Sequence, residues 1–439
     1  MFGDPYRDRE DTNTRFFRNV QCILQFLRDN GLEASLTSVA SETGVEYIDG
    51  YLPGGALDCA LDLYEDYRVK QVAHSSDGAD PSDLQVVLPD HTGHICRSQL
   101  LTVDPPHPKN VLTIRFLPPS PSLSQHQTFI ATGAADSVLR IIRLKLDDSS
   151  GASEVVAAYE GMRSPILTID FDKSSGGGLL LLLGGMAGNV QLVRWEEGRA
   201  MELLHEYQHH ATGKPVLCAR FSPDGRYIVT ASKDRTLALL ERANDAEAES
   251  SGGGRFVQRA AFTFTGEVLA IEWVGVDECV ASVRGSYELH YFSASQRKET
   301  MRTTLNAMRD DVVSFAVLDL KASADGTKLL ACTDKSRLIL FATKSSMQLG
   351  NYYGFECDDY SLPVCAFSLD GKSVYATSTG AHSTKTKLQA PEVVCWDIAT
   401  QRLVHRLRGH KATIRTLARH PTRELIATGG FDKQVILYS

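Results

Sequence analysis

The sequence predicts a mainly β chain that closes into a seven-bladed propeller, with a small α-helical module ahead of it. Three observations carry that prediction. One stretch at the C-terminal end divides into three β-rich runs separated by tight turns. The same turn recurs along the chain at a near-constant spacing. Near the N-terminus, by contrast, apolar residues follow the helical period.

The repeating unit is read most easily from Gly409 to Ser439. Thr413 to Ala418 alternates small or apolar residues with polar ones, and His420-Pro421-Thr422-Arg423 supplies a turn because proline fixes φ and removes a donor. Leu425 to Thr428 is an apolar, β-branched run ended by Gly429-Gly430, and Val435 to Tyr438 follows the turn at Asp432-Lys433. Three strands cannot cover both of their faces, so the unit needs neighbours like itself.

Those neighbours appear when the chain is aligned on the second turn. Asp136-Ser137, Gly188-Asn189, Asp234-Arg235, Gly285-Ser286, Asp334-Lys335 and Asp432-Lys433 each separate an apolar run from a β-rich run, at roughly 46 to 52 residues apart with one double gap. The double gap holds a further unit from Val364 to Ile398, whose turn is enlarged around Gly380 to Pro391. Seven units follow.

These residues resemble the WD40 family. Gly409-His410 stands at the family's Gly-His, Ser222-Pro223-Asp224-Gly225, Ser323-Ala324-Asp325-Gly326 and Ser368-Leu369-Asp370-Gly371 stand at its first turn, and Trp396-Asp397 is its Trp-Asp. The resemblance covers roughly Leu100 to Ser439 and implies a buried hydrogen-bonded set, for which the last unit offers His410, Thr428 and Asp432 with Tyr438 in place of the tryptophan. A blade of this family has four strands and the last unit supplies three, so the fourth is expected from His94 to Val103, which alternates and is β-rich. Pairing the two ends removes the open edges that invite aggregation.

Ahead of the ring, Phe16, Val20, Ile23, Leu24 and Leu27 fall on one face of a helix expected from Thr14 to Asn30, capped by Asp11 or Thr12 and ended by Gly31. A second helix, Leu32 to Thr43, puts Leu32, Leu36 and Val39 on one side and closes at Gly44. Two helices this short expose more apolar face than they cover, and the simplest partner is a second copy. The stretch VQCILQFLRDNGLEASLTSVASETG resembles a LisH motif, which implies a homodimer held by Val20, Ile23, Leu24, Leu27, Leu32, Leu36 and Val39; the other reading is a helical pair packed on its own propeller. The expected organisation is a LisH-like motif over 1–44, a helical extension and linker over 45–82, and the propeller over 83–439. The extension, with a helical pattern between Ile48 and Val69, resembles the segment following LisH in CTLH-type ubiquitin-ligase scaffolds and in corepressors. Ala73 to Ser82 reads as a linker, and Leu117 to Gln127, Ala243 to Gly254 and Gly380 to Pro391 read as insertions between strands.

Composition bounds the function. A net charge of -8 argues against a general nucleic-acid surface and against acidic lipid. Nine cysteines with no C-x-x-C pair read as reduced thiols of a cytoplasmic or nuclear protein. The charged N-terminal stretch reads as no secretory signal, and no run approaches the roughly 18 apolar residues of a membrane span.

Enzyme patterns fail on local structure. His205-Glu206-Tyr207-Gln208-His209 fits the zinc-protease motif, but it falls where the fourth strand is expected, and residues four apart in a strand are about 13 Å apart. Gly184 to Gly188 precedes a strand, so no helix N-terminus is offered to phosphate. No phosphate loop and no G-x-S-x-G elbow is present. The expectation is therefore a non-enzymatic scaffold with no cofactor and no metal, binding proteins or peptides on a propeller rim. The rim loops that enter each inner strand nominate Arg163, His210, Lys214, Arg309, Tyr360 and Lys411 as contacts. The alternative is a subunit or substrate receptor of a CTLH-type ubiquitin ligase. The cullin-4 version is weakened because Trp396-Asp397-Ile398-Ala399 lacks the basic residue such receptors carry.

Overall fold

In the computed structural model, the described residues are 20–21, 24, 27, 33–46 and 95–439, except 105, 119–126, 147–152, 173–177, 244–254, 307–313, 359–360 and 380–389. Phe16, Ile23, Leu32, Arg309 and Tyr360, the extension between Ile48 and Val69 and the linker from Ala73 to Ser82 lie outside them, as does most of each insertion. The chain divides into two units, Met1–His91 and Thr92–Ser439.

In the first unit, Val20, Gln21, Leu24 and Leu27 are helical, and α1 runs from Glu33 to Thr43. Gly44 ends α1 at φ +67°, a left-handed conformation that suits glycine, and its N–H donates to the Ala40 carbonyl at 2.9 Å. Val20 and Leu24 are buried with Val45, and Leu36, Val39 and Ala40 pack alongside. The chain thus covers part of the apolar face that sequence reasoning assigned to a second copy. Leu27, Leu36 and Val39 stay half-buried.

The second unit holds seven four-stranded antiparallel sheets among the described residues. Their inner strands are β2 (Val111–Phe116), β6 (Ile166–Asp172), β10 (Val216–Phe221), β14 (Val268–Trp273), β18 (Val317–Ala322), β22 (Cys365–Phe367) and β26 (Ile414–Arg419). The second strand of each sheet is covered on both faces by neighbouring sheets, so it reads as one apolar run. In β7 (Leu179–Gly185), LLLLLGG, every residue is buried, and each leucine contributes about 2 kcal/mol of burial. Outer strands are only partly covered instead, as β9 (Glu202–Tyr207) is, where no residue is fully buried because one face meets water.

Glycine lets neighbouring blades approach. A Cβ on Gly184 would sit 2.6 Å from Thr168 Cγ2 and 3.0 Å from Val216 Cγ1 of the next inner strand. Ring closure uses β1 (Gln99–Val103), which pairs antiparallel with β28 (Val435–Tyr438) as the outer strand of the last sheet. Val103 faces Val435 and Leu101 faces Leu437, and Ser439 exchanges backbone hydrogen bonds with Ser98 and Arg97. Val103 is 2% exposed, in a cluster with Val111, Ile114, Val435 and Leu437 that joins the last blade to the first.

A rim fixed by buried histidines and a channel of ordered rings

The loops entering the inner strands are anchored by a recurring side-chain set. His410 meets Asp432 through Nδ1 at 2.9 Å and Thr428 Oγ1 through Nε2 at 2.7 Å. His210 repeats this with Asp234 at 3.1 Å and Thr230 at 2.8 Å, and His107 with Asp136 at 2.9 Å and Thr132 at 2.9 Å. The sequence-derived set in the last blade is therefore present, and two more blades carry it. Each aspartate also shapes its own turn: Asp432 accepts the N–H of Gln434 at 3.2 Å and of Lys411 at 2.9 Å, while Asp234 accepts those of Thr236 and Ala211, both at 2.9 Å. The aspartate thereby locks the rim loop itself.

These carboxylates are kept ionised. Burial pushes Asp432 up, but the His410 hydrogen bond and charge and the Lys411 N–H outweigh it, and the net shift is downward. Asp136 and Asp234 shift downward in the same way, against burial, through His107 and Arg140 in the first case and through Thr236, Ala211 and His210 in the second. Burial lowers the pKa of His107 and of His210.

This arrangement sorts the charges of the rim. The turn aspartates point inward, whereas Lys109, Arg163, Lys214, Lys233, Lys335 and Lys411 are exposed and form no ion pair with a described residue. Asp104, Glu160 and Glu356 are the exposed carboxylates among the described loops of this rim, alongside the apolar Met186, Tyr353 and Phe431. On the opposite rim Glu241 receives Arg226 and Arg297 at 3.0 Å each and Lys344 pairs with Glu278, while Lys145, Lys372, Arg402 and Arg423 are exposed and form no ion pair with a described residue. The loops read as mixed in sign along the sequence, but the accessible surface they make is mostly cationic.

Of the nominated contacts, Arg163, Lys214 and Lys411 stand exposed on this rim. His210 does not belong with them. It is 3% exposed and both ring nitrogens are engaged, so it is a structural residue with nothing to offer a partner. The zinc-protease pattern is also accounted for: His205 lies in β9, Tyr207 ends it, and His209 turns in to Thr230 Oγ1 at 2.8 Å. Among the described residues no group of three or more histidines, cysteines, aspartates or glutamates could hold a metal, and no helix is long and apolar enough to cross a membrane. Seven cysteines there are free thiols.

The axis of the ring carries a feature that sequence reasoning missed. In six inner strands the pairing register breaks between the first and third residues, a bulge that turns the second residue toward the axis. Leu112, Leu167, Leu217, Leu269 and Leu318 occupy that second position in five blades, and Arg415 occupies it in the last; all line a central cavity of about 90 Å³. The fifth position carries Arg115, Asp170, Arg220, Glu272 and Lys321 in blades one to five, alternating in sign, and Ala366 and Ala418 in the remaining two.

Side chains of these inner strands tie one blade to the next, where no backbone ladder runs. Asp170 accepts the Phe221 N–H at 2.8 Å, Asp319 the Cys365 N–H at 3.0 Å, and Thr416 Oγ1 the Ile114 N–H at 3.1 Å. Arg115 Nε donates to the Ile169 carbonyl at 3.2 Å and Arg220 to Thr168 Oγ1 at 3.1 Å. Burial raises the pKa of Glu272, while Lys321 is held above its ordinary value by Asp319 and Glu272 against the pull of burial. The signal was available: setting the inner strands one above another exposes both rings.

Two segments of the chain, residues 201–239 and 401–439, match the family described as WD domain, G-beta repeat. The chain therefore carries WD40 repeats, and its fold is the seven-bladed propeller. No curated protein matches it in sequence.

Proposed function

We propose that this chain is a non-catalytic scaffold that holds a partner protein on the rim formed by the loops entering the inner strands, and that its N-terminal helices pair two copies. WD40 propellers serve as protein-interaction platforms, and the rim supports that reading with one observation above others. Its loops are pinned from below by Asp234 and Asp432, while Arg163, Lys214 and Lys411 stay exposed and unpaired among the described residues. A preorganised loop loses little freedom on binding, so its contacts convert efficiently into affinity. Pairing two copies places two rims in one particle, and effective concentration then strengthens two weak contacts. Among the described residues, Leu27, Leu36 and Val39 are half-buried and available for that pairing. The ubiquitin-ligase alternative rests on the stretch from Ile48 to Val69, so the scaffold reading takes precedence.

Two measurements on the full chain test it. Light scattering should give twice the chain mass for wild type and the single mass for Leu27→Asp combined with Val39→Asp; a wild-type monomer removes the pairing. Affinity capture followed by mass spectrometry should lose its specific partner when Arg163, Lys214 and Lys411 are all changed to alanine. Unchanged capture rejects the rim.

A further inference from the structure

Arg415 is out of place in the channel. Its position is leucine in five of the six other blades, so nothing in the repeat requires a cation there. The side chain is half-buried and makes no hydrogen bond or ion pair with any described residue. Burial pulls its pKa down and Asp319 opposes that, yet a guanidinium stays charged in a protein. A half-buried guanidinium with no hydrogen-bonded partner contributes less to the fold than a packed leucine would. Inner strands run from the cationic rim toward the opposite one, so the second position lies just inside the cationic rim's mouth.

We propose that Arg415 receives the carboxylate of a glutamate or aspartate side chain from an acidic, apolar-containing segment of a partner protein lying across this rim. The geometry selects that chemistry. A cavity of about 90 Å³ is well below the roughly 300–1,000 Å³ of a small-molecule pocket, and it suits one side chain. Glutamate brings a slim methylene stem with charge only at its tip: the stem packs in the leucine collar and the tip meets the fork of Arg415. Arg163, Lys214 and Lys411 draw the rest of the acidic segment, and Tyr353 and Phe431 offer apolar contact on the same rim. A nucleic-acid phosphate sits directly on its backbone and lacks the stem needed to reach a recessed group. The assignment rests on the rim being the binding face and names its ligand class.

The test uses the full chain and a short fluorescein-labelled peptide of alternating glutamate and leucine, read by fluorescence anisotropy at low and physiological salt. A matching peptide with glutamine for glutamate and a labelled single-stranded RNA serve as controls. Arg415→Leu should weaken the glutamate peptide by about tenfold or more, the worth of one charge-assisted bidentate pair, and Arg415→Lys by less. Its melting temperature should equal or exceed that of wild type; Arg415→Gln replaces it if the leucine variant does not fold. The proposal is overturned if wild type ignores the peptide, if Arg415→Leu binds as wild type does, or if the glutamine peptide binds equally. RNA binding that is tighter than the peptide's and insensitive to Arg415→Leu overturns it in favour of nucleic acid. Loss of binding in the Arg163, Lys214, Lys411 alanine variant with no effect of Arg415→Leu overturns this inference and leaves the rim standing. Insensitivity to both overturns both.

Discussion

Putting an aspartate at position 103 tests the closure of the ring directly. Val103 is 2% exposed and packs with Val111, Ile114, Val435 and Leu437, so Val103→Asp removes a buried valine and places a carboxylate where it was. The lost burial is worth about 1.5–2 kcal/mol, and the unpaired polar group adds a few kcal/mol more, so about 4 kcal/mol is expected. Thr102→Asp makes the same change of charge one residue earlier in β1, at an exposed position paired with Ile436, and should cost no more than about 0.5 kcal/mol. For the unit Thr92–Ser439, an unfolding entropy of about 2.1 cal/mol/K per residue gives about 0.7 kcal/mol/K. The Val103 variant should therefore melt about 5–6 °C below wild type and the Thr102 variant within about 1 °C. Differential scanning calorimetry reads both. Equal shifts in the two variants would refute the reasoning, because a strand that seals the ring by one face must distinguish its faces.

Three further outcomes follow from the same geometry. Gly184→Ala drives a methyl group against Thr168 and Val216 and should destabilise by about 1–3 kcal/mol, whereas Gly275→Ala, with no atom within 4 Å, should be near neutral in the same urea titration. Asp432→Asn removes the charge that holds His410 and Lys411, so hydrogen exchange at the Lys411 amide should accelerate at least tenfold while the amides of β28 stay protected. On acidification, His209, whose pKa is lowered to about 3 by burial and by His210, and His420, lowered to about 4 by burial, Arg423 and Arg419, refuse protons that the unfolded chain takes up below about 6.5. Their contribution is complete above pH 6.5 and is lost as pH falls through the interval toward 4. Melting temperature should drop across that interval, and His420→Asn should flatten the drop; a flat wild-type profile contradicts the assignment.

The seven-sheet ring was legible because its signals are local. A turn aspartate or glycine between two β-rich runs recurs in six of the seven blades, and an unpaired last sheet demands a strand from elsewhere, which β1 supplies. The rim was legible only in part, because charge along a chain is not charge on a surface. Asp136, Asp234 and Asp432 cancel Lys109, Lys214 and Lys411 when the loops are read as letters, yet each aspartate is turned inward by a histidine and the lysines are left outside. His210 was misplaced for the same reason. Its separation from Thr230 and Asp234 resembles that of His410 from Thr428 and Asp432, and comparing the two blades would have put it inside. The channel was invisible to a period of two, since the bulge at the second residue of the inner strand moves a side chain that strict alternation would direct elsewhere. Repeat by repeat, Arg415 then stands out as the departure from a leucine collar. Within a repetitive fold the shared residues build the frame, so a residue that breaks the pattern without a hydrogen-bonded partner is where a binding role is to be tested first.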